Sequence, residues 1–307
     1  MWKTAVITCM TVLLSVLLTG AGYAYYLYDL TSDSLSKMNT EYEAANNESV
    51  PEARSSLRGP LRFLVVGVAG RPGEPALSDV IMGVSVNPNH ESTLIFNIPR
   101  DTKTAIPGRA RPEKINHAYS YGGASLVKET AERELGQSFD FVVEVDMEGF
   151  TRLVDLVGGI EVENPFAFSQ NDITNDHTYH YDEGPVQLDG ERALHYVRMR
   201  KQDPRGDLGR NARQREVFEA LLRKSLTIDS LIKSREILDH FSKYIKTNLT
   251  FADARALLHH YRPAADYVNT FELTGTNKVE DGVSYYIISD KEWKKASLRL
   301  ERHASRR

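Results

Sequence analysis

Hydrophobic positions change their pattern twice along the chain. From Thr4 to Tyr28 no residue is charged, and the run reads Thr4-Ala-Val-Ile-Thr-Cys-Met, then Val12-Leu-Leu-Ser-Val-Leu-Leu18. About 20 apolar residues cross a bilayer as a helix, and Tyr23, Tyr25, Tyr26 and Tyr28 suit an interfacial aromatic belt. A cleaved signal peptide is the rival reading, but the run is long and Gly22-Tyr-Ala24 is a poor cleavage site. Residues 1–28 are therefore expected to be a retained membrane anchor, with the bulk of the chain outside the cytoplasm. Residues 29–60 are polar and read as an extracytoplasmic stalk.

From Leu61 the pattern becomes short apolar runs divided by turns. Arg62–Val68, Asp79–Val86 and Ser92–Ile98 read as strands, the last stopped by Pro99. Two hairpin strands and the end of the first bring Ala69, Arg71, Asp79, Arg100 and Asp101 to one sheet edge, where scaffolds place functional groups. Loop Thr102–Ile115 follows, then a helix at Ala124–Leu135, a strand at Phe139–Val145, and a helix from Asp146 to Leu156. Ile160–Val162 is a strand and Asn164–Pro185 a long polar loop. Asp189 caps a helix to Met199, Asp207 opens one to Lys224, and helices are expected near Ser230–Lys246 and Phe251–His260. Thr270–Gly275 and Ser284–Ser289 close the strands. The tail from Lys291 reads as a basic helix or a frayed end, with 301–307 outside a domain spanning 61–300. Strands and helices mix throughout, which gives an α/β class: a three-layer α/β/α sandwich around a mixed central sheet, preceded by one transmembrane helix.

Charge changes this picture at one place. The chain has a formal net charge of −4, yet Arg192–Arg215 holds eight Arg/Lys against Asp203 and Asp207. Such blocks are ordinarily solvated or interaction arms. Here, however, Arg210, Gln214, Val217 and Leu221 recur at helical spacing, so Arg210 and Gln214 share the apolar stripe facing the sheet. A buried arginine needs an anionic partner. Arg210 also sits in the first turn of its helix, against the macrodipole, a placement an anion there would relieve. Arg198 and Arg200 lie one short loop away. Two readings fit: a site for a group with several negative charges, such as a pyrophosphate, or internal salt bridges to Asp203, Asp207 or Asp101. Arg213 and Arg215 fall on the flanks of the stripe and read as solvated. Asp79 suits either a divalent cation shared with phosphates or an arginine partner.

Composition removes several classes. Cys9 is the sole cysteine, so no intrachain disulfide or thiolate metal site forms. The acidic balance and the lack of a DNA-reading motif argue against nucleic acid. His177 and His180 near Asp172, Asp176 and Asp182 read as a solvated loop, and His117 as a hydrogen-bonder at a helix start. Walker, dinucleotide, HExxH and nucleophile-elbow motifs are missing.

The folded region resembles the LytR-CpsA-Psr family of bacterial cell-wall proteins. The resemblance is carried, in family order, by Leu64–Val68, Ser78–Met82, Ile98-Pro-Arg-Asp-Thr102, Lys114-Ile-Asn-His-Ala-Tyr119, Tyr121-Gly-Gly123, Leu153–Gly159, Leu188–Leu194, Val197-Arg-Met-Arg200 and Asp207–Gln214. It implies a phosphotransferase outside the membrane of a Gram-positive-type bacterium. Such a protein moves an anionic glycopolymer, such as wall teichoic acid or capsule, from a polyprenyl-pyrophosphate carrier to a muramic acid hydroxyl of peptidoglycan. By motif position the pyrophosphate ligands are Arg100, Arg198, Arg200, Arg210 and Gln214, with Asp207 supporting the arginines, Asp101 beside Arg100, and Lys114 lining the site. The family's Gly-Val-Asp, whose aspartate helps to bind Mg²⁺, is Gly67-Val68-Ala69 here. Asp79 is then the remaining family carboxylate for the metal, and Arg71 is positioned by sequence to serve the phosphate in its place.

The implied chemistry is phosphoryl transfer by positioning and charge neutralisation, with Asp79, Arg100, Arg198 and Arg210 at its centre. No general base is identifiable by sequence; Asp101 and Asp79 are the candidates, and both are expected beside arginines. The alternatives are a module that binds lipid pyrophosphates without turnover, and a lipid pyrophosphatase.

Overall fold

Side-chain alternation along the first strands sorts the molecule into layers. The computed structural model describes residues 32–50, 57–70, 73, 75–172, 177–225 and 242–305. In β1 (Leu61–Ala69), Leu64, Val66 and Val68 enter the main core, while Phe63 and Val65 face the other way. β2 (Leu77–Asn87) and β3 (Ser92–Asn97) extend β1 as an antiparallel meander. Close packing uses glycine: a methyl on Gly83 would overlap the Phe96 ring, and one on Gly67 would stand 2.8 Å from the Val80 Cβ.

The short pair β4 (Lys103–Thr104) and β5 (Glu113–Lys114) follows, then β6 (Phe141–Asp146), which runs parallel to β1. Two ribbons come next: β7 (Ile160–Asn164) with β10 (Gly184–Leu188), and β8 (Phe168–Asp172) with β9 (His177–Tyr181). β11 (Ile245–Thr247) and β12 (Tyr267–Glu272) close the sheet edges, giving the order β11-β6-β1-β2-β3-β12 with mixed directions. A last hairpin, β13 (Thr276–Glu280) with β14 (Val283–Ile287), leans on β4.

Helices cover both faces. On one lie α1 (residues 32–46) and α2 (His117–Leu135), with the C-terminal helix, numbered α7 (Asp290–Ser305) in chain order. Tyr42, Val127, Ala131, Trp293 and Leu300 from these helices meet Leu64, Val66, Ile81 and Phe96. On the other face lie α3 (Met147–Leu156), α4 (Gly190–Arg198), α5 (Asp207–Ser225) and α6 (Phe251–His260). Their starts are chemically fixed. Asp146 accepts from Gly149 N, Asp189 from Arg192 N, and Thr250 forms a reciprocal capping box with Asp253.

The mixed sheet and its inner strands lie where periodicity puts them. Three expectations change. The polar stretch read as a stalk contains α1, because Met38 and Tyr42 recur at helical spacing and are buried. The loop 164–185 holds the β8–β9 hairpin, whose Phe168 and Tyr181 stack at 4.7 Å. Of the two readings of the tail the helix holds, but 301–305 are not outside the domain: α7 runs to Ser305, pinned by His303, whose ring meets Ser85 and Ser92 and whose carbonyl accepts from Asn87. The anchor at 1–28 and most of the helix expected at Ser230–Lys246 lie outside the described residues; Lys246 itself is in β11. Among the described residues no helix is long and apolar enough to cross a membrane.

Candidate active site

The site begins as a defect in strand pairing. Gly67 pairs with Val80 but Val68 pairs with Ser78, so Asp79 is an extra residue in a β-bulge. Val80, Met82, Val84 and Val86 alternate toward one face, and the bulge turns Asp79 to that same side. At the end of β3, Pro99 closes a turn: Thr102 N and Oγ1 both donate to its carbonyl. Arg100, presented by that turn, donates from Nη1 to the Asp79 carboxylate at 2.6 Å. Lys114 Nζ lies 2.7 Å from the carboxylate of Asp101, which stands 4.0 Å from Arg100 Nε.

The opposing wall comes from the junction of α4 and α5. Met199 leaves the helix in an extended conformation, the chain turns through Arg200–Gly206, and Gly206 takes φ 59° before Asp207 opens α5. Arg210 Nη2 meets the Asp207 carboxylate at 2.9 Å, and Arg200 Nε lies 3.4 Å from it. Arg210 is 6% exposed, and Gln214, one turn on, accepts from Asn97 Nδ2 at 3.2 Å. Both therefore face the sheet, as their place on the apolar stripe requires.

Between these walls is a cavity of about 1650 Å³, larger than most small-molecule pockets. Asp79, Arg100, Arg198, Arg200, Arg210 and Gln214 line its charged end. Phe63, Val65, Met82 and Val84 of the sheet and Phe150, Leu153, Phe218 and Leu221 of the helices line the remainder. Lys114, expected in the lining, does not reach the wall; it stands behind Arg100, paired with Asp101. Arg71 lies outside the described residues.

Electrostatics separates the two central arginines. Burial opposes the charge on Arg100, but Asp79, Asp101 and Asp207 outweigh it and hold its pKa above the ordinary arginine value. Burial dominates at Arg210 and, with repulsion from Arg100 and Arg200, pulls its pKa below that value despite Asp207. The Nε of each is buried and has no hydrogen-bond partner among the described residues.

Arg213 and Arg215, read as solvated, are 3% and 6% exposed. Arg213 pairs with Asp203 at 2.6 Å beneath the Phe168 ring, and Arg215 pairs with Glu272 at 2.8 Å. Helical phase placed them on the flanks, and the packed β8–β9 hairpin and β12 cover those flanks. Sequence reasoning also missed His195, which lines the cavity at 4% exposure, stacks on Tyr179 at 4.3 Å, and lies 3.7 Å from Asp172. Burial lowers its pKa. Its spacing of three from Arg198 was the available clue.

A model of the LytR_cpsA_psr family matches residues 25–302. The chain belongs to the LytR-CpsA-Psr family. A relative from Halalkalibacterium halodurans, named polyisoprenyl-teichoic acid–peptidoglycan teichoic acid transferase TagU, is 37% identical over 98% of both chains. The crystal structure of Bacillus subtilis TagU is similar with TM-score 0.64 and 33% identity, covering 81% of this chain and 98% of that one. A structure of TagT bound to LIIa-WTA is similar with TM-score 0.69 and 27% identity, covering 85% and 98%. In this member of the family, the LytR-CpsA-Psr motif residues Asp79, Arg100, Arg198, Arg200, Arg210 and Gln214 share one cavity end.

Proposed function

We propose that this protein is a phosphotransferase that moves an anionic glycopolymer from a polyprenyl-pyrophosphate carrier to peptidoglycan. The observation carrying this reading is the join of an arginine-lined mouth to an apolar cavity. A pyrophosphate offers acceptor oxygens to the first, and a polyprenyl tail fills the second. The relatives named as teichoic acid transferases, and the TagT structure holding LIIa-WTA, support it. The apolar run at residues 4–28 anchors the chain in the cell membrane with the folded part outside.

In the reaction, an acceptor hydroxyl attacks the phosphorus carrying the glycan. The new O–P bond forms as the bond to polyprenyl phosphate breaks, and the hydroxyl proton passes to solvent or a nearby base. Arg100 and Arg210 hold the phosphoryl oxygens and stabilise their charge; Asp79 and Asp207 fix the two guanidiniums in place. Mg²⁺ needs one or two carboxylates when phosphates supply its other ligands. Asp79 is the one carboxylate that could serve, already shared with Arg100, since Ala69 brings no side-chain oxygen, and among the described residues no three His, Cys, Asp or Glu gather as a metal site. When bound there, the ion would add positive charge at the phosphates; the arginines supply it independently.

The test is a reconstituted assay with a lipid-pyrophosphate glycan and peptidoglycan fragments. Glycan linked to peptidoglycan is the expected product, lost in Arg100→Ala and Arg210→Ala variants that stay folded. Binding without product would point instead to a sequestering module, a reading that Ala69 favours. Release of phosphate products without acceptor would mark a pyrophosphatase.

A further inference from the structure

The cavity reaches the surface of the described residues at a second place, where an exposed side chain, Leu258, is part of its lining. Leu257, Leu258, Tyr261 and Arg262 of α6 and the turn after it also line it. These residues pack near Phe63, Val86 and Phe141, at the starting end of β1 and β6. Phe63 and Ala69 are six residues apart on one strand, so this place lies about 20 Å from the arginine mouth. Leu258 is 53% exposed while lining the cavity, and Tyr267, at the start of β12, is 66% exposed.

Arg255, Leu258 and His259 lie on one face of α6, and Arg262 follows in the turn after it; all four are exposed. Asp266 is the exposed acid that follows. An aliphatic side chain, a tyrosine and two arginines around an apolar cavity end match the chemistry of a membrane interface. The chain's own path points the same way. Asn39 of α1 donates to the carbonyls of Thr247 and Leu249, at 2.7 and 2.8 Å, directly before the cap of α6. Thr247 pairs with Val143, and Tyr42, farther along α1, is hydrogen-bonded to Glu48 near α2. The residues ahead of Asn39, which follow the apolar run, therefore enter from the α6 end.

We infer that α6 and the turn to Tyr267 form a membrane-docking surface that seats on an anionic leaflet and opens the lower end of the cavity onto the bilayer. This rests on the proposed reading of residues 4–28 as a membrane anchor. Apolar material then passes between bilayer and cavity without crossing water, while the arginine mouth stands away from the headgroups. Each arginine near a negative leaflet strengthens docking by roughly fivefold, and Asp266 subtracts from that.

The full chain, in a Cys9→Ser background and in vesicles of phosphatidylcholine and phosphatidylglycerol, tests the inference. Single cysteines at Leu258→Cys, Tyr267→Cys and, as control, Val279→Cys are labelled with bimane, and vesicle-bound chain is isolated by flotation. Brominated phosphatidylcholine should quench the first two labels and leave the third, on the exposed β13–β14 hairpin, bright. Arg255→Glu/Arg262→Glu should lose that quenching while keeping its melting transition. A Leu258 or Tyr267 label as bright as the Val279 label overturns the docking surface. Quenching indifferent to both phosphatidylglycerol and the arginine variant overturns its anionic preference. Glycan transfer by the unlabelled chain is measured in the same vesicles: transfer with unquenched labels sinks this inference alone, and quenching without transfer sinks the transferase reading alone.

Discussion

Gly209→Ala provides a test whose sign differs from the general rule. In an exposed helix, alanine for glycine stabilises by about 1 kcal/mol. Here a methyl on Gly209 would overlap the whole Asp203 carboxylate. That carboxylate has nowhere to retreat. One oxygen accepts from Arg205 N at 2.7 Å, the other pairs with Arg213 at 2.6 Å, and both side chains of the ion pair are nearly inaccessible, at 3% and 4%. Breaking a buried pair costs about 3–5 kcal/mol, so the net effect is destabilisation of roughly 2–4 kcal/mol after the helical gain. For a domain of this size that lowers the melting temperature by on the order of 5–15 °C. The loop carrying Arg200 and the start of α5 moves with Asp203, so transfer falls as well. Thermal melting by circular dichroism checks the first part, and a cycle with Asp203→Ala checks the cause. Once the carboxylate is gone, adding Gly209→Ala should be neutral or stabilising. A higher melting temperature for Gly209→Ala alone would refute the reasoning.

Arg210→Ala should reduce transfer by about 10²–10³-fold, as loss of a preorganised charge stabiliser does, with Arg210→Lys recovering little because a lysine cannot present the guanidinium fork; initial rates in the reconstituted assay decide. Chelation of divalent ions by EDTA should lower transfer less than Arg210→Ala does, since arginines line the charged mouth independently of any ion. His195, with Asp172, Glu191, His177 and Arg198 around it, has a pKa below 6.5 in the folded state because of burial. The unfolded chain then takes up its proton first, so stability is full above 6.5 and declines as pH falls through that value toward the folded pKa. His195→Gln should flatten this part of a melting-temperature-against-pH curve. Asn39→Ala should cost about 1–3 kcal/mol by removing the donor to the carbonyls of Thr247 and Leu249, measured by urea unfolding.

Much of the sheet and the arginine constellation was legible because each carries a strong local pattern. Val80, Met82 and Val84 alternate, and Arg210 and Gln214 recur with Val217 and Leu221. What stayed hidden depended on contacts distant in sequence. Arg213 has the same local surroundings as a solvated residue; Phe168 and Tyr196 over its guanidinium, with Asp203 and the Met199 carbonyl accepting from it, make it interior. Lys114 sits in a motif, yet Asp101 decides where its ammonium points. α1 was obscured by polar composition, since four buried positions, Ser34, Met38, Tyr42 and Asn46, bind it to the fold and two of them are polar.

The bulge at Asp79 separates two inheritances. Strand β2 buries Ile81 on one side and Met82 and Val84 on the other, and that phase is set by pairing with β3, which the bulge does not interrupt. The residue at position 79 is thus surplus to the ladder. A lineage can replace it, and so alter the chemistry at the mouth, without disturbing a core contact. Removing it is another matter: a one-residue deletion would rejoin the register, with Ser78 still opposite Val68 and no side chain left where Asp79 stood. Substitution at this point tunes the site, whereas an insertion or deletion creates or abolishes it.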